Sequence, residues 1–308
     1  MIDQVRARAA EALEAPGGAR PRAIVGFDGF VDTIAEVVGR RRSSRPGDYD
    51  ALRLITDLAA RVSAAAGRSM NIEIRAREVR AGGNGPLLAG ALASLGLDVT
   101  LIGALGSPDE PGAIDPVYRP VTDRCARVVS FAASGRTDAL EFDDGKVMLN
   151  GPEGLDTIDW SSLSGAVPAR TLAGWCREAD LLATVNWTNT GGLGSIWAGL
   201  RDEVFATLRA EAPPVFVDLS NPDRRPDGDV RTMLDTLASL QPPVTLGLNI
   251  AEAERLGALL DLGLGPLERR PEALADAAVR LLAASGLAAV VIHTRGAVGA
   301  AAAEPDGA

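Results

Sequence analysis

From about residue 170 onward, short apolar runs rich in β-branched residues alternate with longer stretches of helical periodicity. The pattern predicts helices over 172–179, 193–210, 230–240, 251–260 and 274–284. Between and after them it predicts strands over 181–185, 215–219, 244–248 and 289–293. Strands that are apolar on both sides and separated by helices imply a parallel sheet covered on both faces. Residues 23–27 read as one more such strand, and 86–95 as a small-residue helix leading into a strand over 99–103.

The rest of the first half follows a different rhythm. Residues 50–66 have helical periodicity, whereas 70–79 alternate, with Ile72 and Ile74 on one face and Glu73 and Arg75 on the other. Short strands over 138–142 and 146–149 flank Asp143, Asp144 and Gly145, a hairpin signal. Such half-polar strands do not suit the centre of a buried parallel sheet. They predict a small separate β-sheet, placed to cover a site as a lid. Residues 1–15 read as an amphipathic helix with Val5, Ala9, Ala12 and Leu13 on one side.

Composition narrows the chemistry. With 31 basic against 41 acidic residues the chain carries a net charge of −10, which disfavours nucleic acid or an anionic membrane as the main partner. Cys125 and Cys176 stand far apart without CxxC spacing, so a reducing, cytoplasmic setting is expected rather than a disulfide framework or zinc site. There is no GxxxxGK[ST] loop, no complete GxGxxG and no GxSxG elbow. The one histidine, His293, excludes HExxH chemistry and is expected to play a structural part at the end of a core strand.

Four short segments carry the functional signal. The first strand runs into Gly26-Phe27-Asp28-Gly29-Phe30-Val31-Asp32, where a carboxylate could accept hydrogen bonds from two neighbouring hydroxyls. Gly82, Gly83 and Asn84 precede a helix, a place where backbone can approach a ligand and free N–H groups are available. Asn249 and Glu252, three apart at a helix start, share one helical face. The same spacing is also a capping-box pattern. Thr294, Gly296 and Gly299 mark a strand–turn–strand, and Asp218 ends a further strand before Asn221, Arg224 and Arg225.

In this order, these segments resemble the ribokinase-like (PfkB) carbohydrate kinases over roughly residues 22–303. The resemblance implies a three-layer α/β core with a mostly parallel sheet and a small β lid. It implies a single domain over 1–308, incomplete at its C-terminus, with lid strands inserted near 31–40, 70–79 and 137–149. The implied activity is ATP- and Mg²⁺-dependent phosphorylation of a hydroxyl on a small-molecule sugar or nucleoside. By the same resemblance Asp32, with Asp28, Gly82, Gly83, Asn84 and Asp218, would hold the acceptor. Asn249 and Glu252 would organise Mg²⁺ and phosphate, with Glu252 on the metal side, and Thr294, Gly296 and Gly299 would face the nucleotide. Lids of this type also imply a homodimer through the lid.

The resemblance has one gap. The family's Gly-Ala-Gly-Asp helix start, with its anion hole and alcohol-activating base, occurs nowhere in the chain. The expectation is therefore a fragment without turnover of its own, the alternative being a catalytically silent sugar- or nucleotide-binding pseudo-kinase. A NAD-dependent oxidoreductase is disfavoured by the absent dinucleotide fingerprint.

Overall fold

The structure, a computed structural model, describes residues 20–303. The helix expected over 1–15 lies outside the described residues. The larger sheet has eight strands: β1 (Arg22–Phe27), β5 (Asp98–Gly103), β6 (Arg127–Ser130), β9 (Leu181–Thr184), β10 (Val215–Asp218), β11 (Val244–Asn249), β12 (Ala289–His293) and β13 (Val298–Ala302). Their order is β13-β12-β11-β10-β9-β1-β5-β6, and every pairing is parallel except the antiparallel β12–β13 edge.

Both faces of this sheet are covered, which is why its strands read as continuous apolar runs. Along β1, Ile24 and Phe27 join one buried cluster while Val25 joins another. Ile102 and Leu101 on β5 divide in the same way, as do Leu182 and Ala183 on β9. The helix Asn84–Ser94 supplies Ala89 to the second cluster. The helices Ala169–Arg177, Asp227–Ala238, Ile250–Leu259 and Pro271–Ser285 supply the first.

The smaller sheet is built from β2 (Phe30–Arg41), β3 (Tyr49–Ala51), β4 (Ile74–Gly82), β7 (Gly135–Phe142) and β8 (Gly145–Gly151). β2 is its spine. It pairs antiparallel with β4, parallel with β7 and, at its far end, antiparallel with β3. β7 and β8 form the expected hairpin, with Phe142 opposite Gly145. Leu58, on the helix Ile55–Ala64, packs against Ala35, Val37 and Leu140 of this sheet.

Three boundaries differ from the sequence expectation. The helix expected from residue 50 starts at Ile55, because Tyr49–Ala51 is drawn into pairing with the long β2. The strand expected over 70–79 instead spans Ile74–Gly82, where β2 offers partners from Val37 to Phe30. The helix expected over 193–210 opens into a π-helical stretch, Leu200–Phe205, and ends at Leu208 before Arg209 at φ +52°.

Candidate functional site

Parallel pairing brings the C-terminal ends of β1, β9, β10, β11 and β12 to one edge of the large sheet, the edge where open α/β sheets place their ligands. The residues at or just beyond those ends are Asp28, Asn186, Asp218, Asn249 and His293.

Asp28 is fully buried. Its Oδ1 accepts the Gly85 N–H at 2.6 Å, and its Oδ2 accepts the Asn84 N–H at 2.8 Å and the Asn186 Nδ2–H at 2.6 Å. A carboxylate thus sits on the free N–H groups that open the helix Asn84–Ser94, where the helix dipole favours negative charge. Burial outweighs those three bonds and pushes the Asp28 carboxyl up to about 6 from the usual 3.8. In this geometry Asp28 anchors the glycine loop from below. The expectation that it grips the acceptor is corrected, because its oxygens face inward onto protein donors.

Asp32 is the exposed-side counterpart, half-buried on β2. Its acidity is weakened chiefly by burial, against which the Thr137 hydroxyl and the charges of Arg80 and Lys146 act. The glycines make room for both carboxylates. A Cβ on Gly82 would lie 2.3 Å from the Asp32 Cγ, and one on Gly85 would lie 2.7 Å from the Asp28 Oδ1. Gly83 adopts φ +92°, and a Cβ there would lie 3.0 Å from the Phe30 N.

Asn84 turns its side chain the other way, donating Nδ2–H to the Asp218 Oδ1 at 2.9 Å. The Asp218 carboxyl is pushed up first by burial and then by the charge of Glu252. Asn84 touches both aspartates and Asn186 touches Asp28, so the four residues form a polar chain across the ends of β1, β9 and β10.

Glu252 is buried, and its two oxygens are taken by backbone. Oε1 accepts the Asn221 N–H and Oε2 the Asn249 N–H, both at 2.9 Å, while Asn249 Oδ1 accepts the Glu252 N–H at 3.1 Å. This is a reciprocal capping box on the helix Ile250–Leu259. Among the described residues no cluster of three or more His, Cys, Asp or Glu is arranged to hold a metal. The geometry gives Glu252 a structural task as the cap of this helix, with each oxygen accepting one backbone N–H. Glu252→Gln should lower stability by about 2 kcal/mol, since an amide must turn its NH₂ toward one of two backbone donors. Chemical denaturation reads that loss, and unchanged stability would show that the box tolerates an amide.

Next to this helix start lies a cleft of about 740 Å³, lined by Asn249, Arg269, His293, Thr294, Arg295 and Gly296 among others. The Thr294 Oγ1 accepts the Gly296 and Ala297 N–H groups at 3.1 and 2.8 Å and so shapes the turn. Gly296 borders open space, but Gly299 does not line the cleft. A Cβ on Gly299 would lie 2.3 Å from the Ala275 N, so this glycine lets β13 lie against the helix Pro271–Ser285, which corrects its expected nucleotide role. His293 is exposed at the cleft rather than held in the core, because β12 ends just as the sheet does.

The sequence profile of the family described as prokaryotic ketohexokinase matches residues 3–308. The chain belongs to the prokaryotic ketohexokinase family. A ketohexokinase from Haloferax volcanii is 29% identical to it over 227 residues, covering 72% of this chain. The matched region is 58% of that relative's length. The fold is shared with a carbohydrate kinase from Agrobacterium tumefaciens, at TM-score 0.53 and 16% identity, covering 88% of this chain and 69% of that one. It is also shared with phosphofructokinase-2 from Escherichia coli in complex with fructose-6-phosphate, at TM-score 0.54 and 13% identity, covering 94% and 78%.

Within this ketohexokinase-family chain, the structure gathers Asp28, Asp32, Gly82, Gly83, Asn84 and Asp218 at one end of the sheet edge. Asn249, Thr294 and Gly296 are gathered separately around the cleft. Sequence reasoning did not single out Arg269, and it placed Asn186 and Arg295 only within longer segments, Asn186-Trp187-Thr188 and Thr294-Arg295-Gly296. Arg269 sits in a loop with no motif around it. Asn186 had one signal, an asparagine directly after a buried strand, where a left-handed residue is often needed; its φ is +62°.

Proposed function

We propose that this chain holds a ketohexose and the phosphate tail of ATP, so that the terminal phosphoryl group can pass to a sugar hydroxyl. The observation that carries this reading is one sheet edge with an oxygen-accepting, glycine-bedded site beside a cationic cleft. On the acceptor side, Asp32 has a carboxylate able to accept from two neighbouring hydroxyls, with Gly82 against it and, farther along the same loop, Gly83 and Asn84, the latter bonded to Asp218. On the donor side, Arg269, Arg295 and His293 converge with Thr294 and Gly296 on a volume suited to a nucleotide. Guanidinium groups are natural phosphate partners. Magnesium would arrive with the phosphates, beside the Asn249 and Glu252 helix start. The smaller sheet, joined to the site through Asp32 on β2 and Gly82 on β4, is placed to act as the lid.

The family favours a ketohexose over a nucleoside as acceptor. Titration calorimetry with D-fructose and with adenosine, each with and without ATP and Mg²⁺, tests this choice. Saturable heat with D-fructose and none with adenosine is expected, and Asp32→Asn should weaken the fructose signal at least about tenfold by removing a charged hydrogen-bond acceptor. Adenosine binding at the acceptor site with fructose silent would overturn it.

A further inference from the structure

Asn186 is 2% exposed, left-handed at φ +62°, and bonded to the carboxylate that anchors the glycine loop. Its Nδ2–H goes to the Asp28 Oδ2 at 2.6 Å. Its remaining group, Oδ1, accepts the Asn189 Nδ2–H at 2.7 Å. Asn189 Oδ1 in turn accepts the Nη1–H of Arg224, an exposed residue in the loop after β10, at 2.8 Å.

The direction of this chain is fixed by its ends. A guanidinium can only donate and an ionised carboxylate can only accept. Each asparagine between them must therefore turn its oxygen toward Arg224 and its nitrogen toward Asp28. No flipped amide satisfies both neighbours, so orientation set at the surface is passed inward, and each bond polarises the next. Asp28 then holds the Asn84 and Gly85 N–H groups, and with them the bed on which Asp32 rests.

We infer that Asn186 is a positioning residue of the acceptor site, oriented from the surface by Arg224 through Asn189. Acceptor affinity then depends on an arginine that need never touch the sugar. The affinity part rests on the ketohexose reading above, whereas the hydrogen-bond relay itself does not.

The variants are Asn186→Gly, Arg224→Met and the double variant. Glycine keeps the left-handed turn while deleting only the amide side chain. Arg224 is exposed, so its replacement leaves the fold intact even if the Asn186 variant proves unstable. Amide hydrogen exchange without ligand should show faster exchange at Asn84 and Gly85 in both single variants. D-fructose affinity should fall about tenfold for Asn186→Gly and roughly threefold for Arg224→Met, with the double variant no weaker than Asn186→Gly alone. Unchanged exchange at Asn84 and Gly85 in Arg224→Met, or affinity losses that multiply in the double variant, would overturn the relay. Altered exchange with no fructose binding by the unmodified chain would instead uphold the relay and remove the ketohexose reading.

Discussion

Asp28→Ala should destabilise the protein by about 3 kcal/mol near pH 7.5, with the deficit roughly doubling as the pH is lowered below 6. Two opposed effects set that value. Truncation strands the Asn84 N–H, the Gly85 N–H and the Asn186 NH₂ in a fully buried place. At roughly 2 kcal/mol for each orphaned donor, the loss comes to about 6 kcal/mol. Against this stands the relief of no longer burying a charge. A rise of the carboxyl from 3.8 to about 6 corresponds to roughly 3 kcal/mol.

The pH direction follows from the raised value. A carboxyl whose folded pKa lies above its unfolded one favours folding in its neutral form. That stability is fully present below 3.8 and is lost as the pH rises through about 6. The unmodified protein thus loses stability over that window while the alanine variant does not, so the two curves converge upward in pH and separate downward. Denaturant unfolding of both proteins at several pH values measures it. A deficit independent of pH would mean that Asp28 titrates as an ordinary carboxylate, and no deficit at all that water satisfies the three donors.

Much of the scaffold was legible because its causes are local. Buried parallel strands such as β1 and β12 announce themselves as apolar runs, and Asp143-Asp144-Gly145 marks a tight hairpin whatever lies around it. The glycine pair at Gly82 and Gly83 was legible for a similar reason, since its freedom is needed where chain meets carboxylate. What the sequence hid was burial and distance. Asp28 and Asp32 stand four apart with the same chemistry, yet one is sealed under the loop and the other faces outward. Only the packed fold separates an anchor from a candidate ligand. Asn249 and Glu252 could cap a helix or attend a phosphate; the fold shows the cap, and that cap also takes the Asn221 N–H, 31 residues from Glu252 in sequence. Asn186 meets Asp28 across 158 residues, a pairing that no local pattern encodes.

Gly82→Ala should abolish acceptor binding while leaving the fold nearly intact. The added Cβ would meet the Asp32 carboxylate, with its Cγ at 2.3 Å and both oxygens at 2.4 Å. That obstacle is the end of a side chain rather than backbone, so it can swing aside at modest cost. Gly83 is the contrasting neighbour. There the obstacles are the backbone of Gly29 and Phe30, at a φ of +92° that side chains rarely adopt, and Gly83→Ala should cost stability instead. For Gly82→Ala the displaced carboxylate gives up its place beside Thr137 and its aim over the glycine loop. Losing a charged acceptor to two hydroxyls, with the methyl filling the space they would use, should weaken D-fructose binding by about a hundredfold. Thermal melting and calorimetry on the same preparation separate the two quantities. A variant that melts like the parent but no longer binds fructose supports Asp32 as the acceptor-holding carboxylate. One that melts like the parent and binds equally well would show that the sugar is held elsewhere.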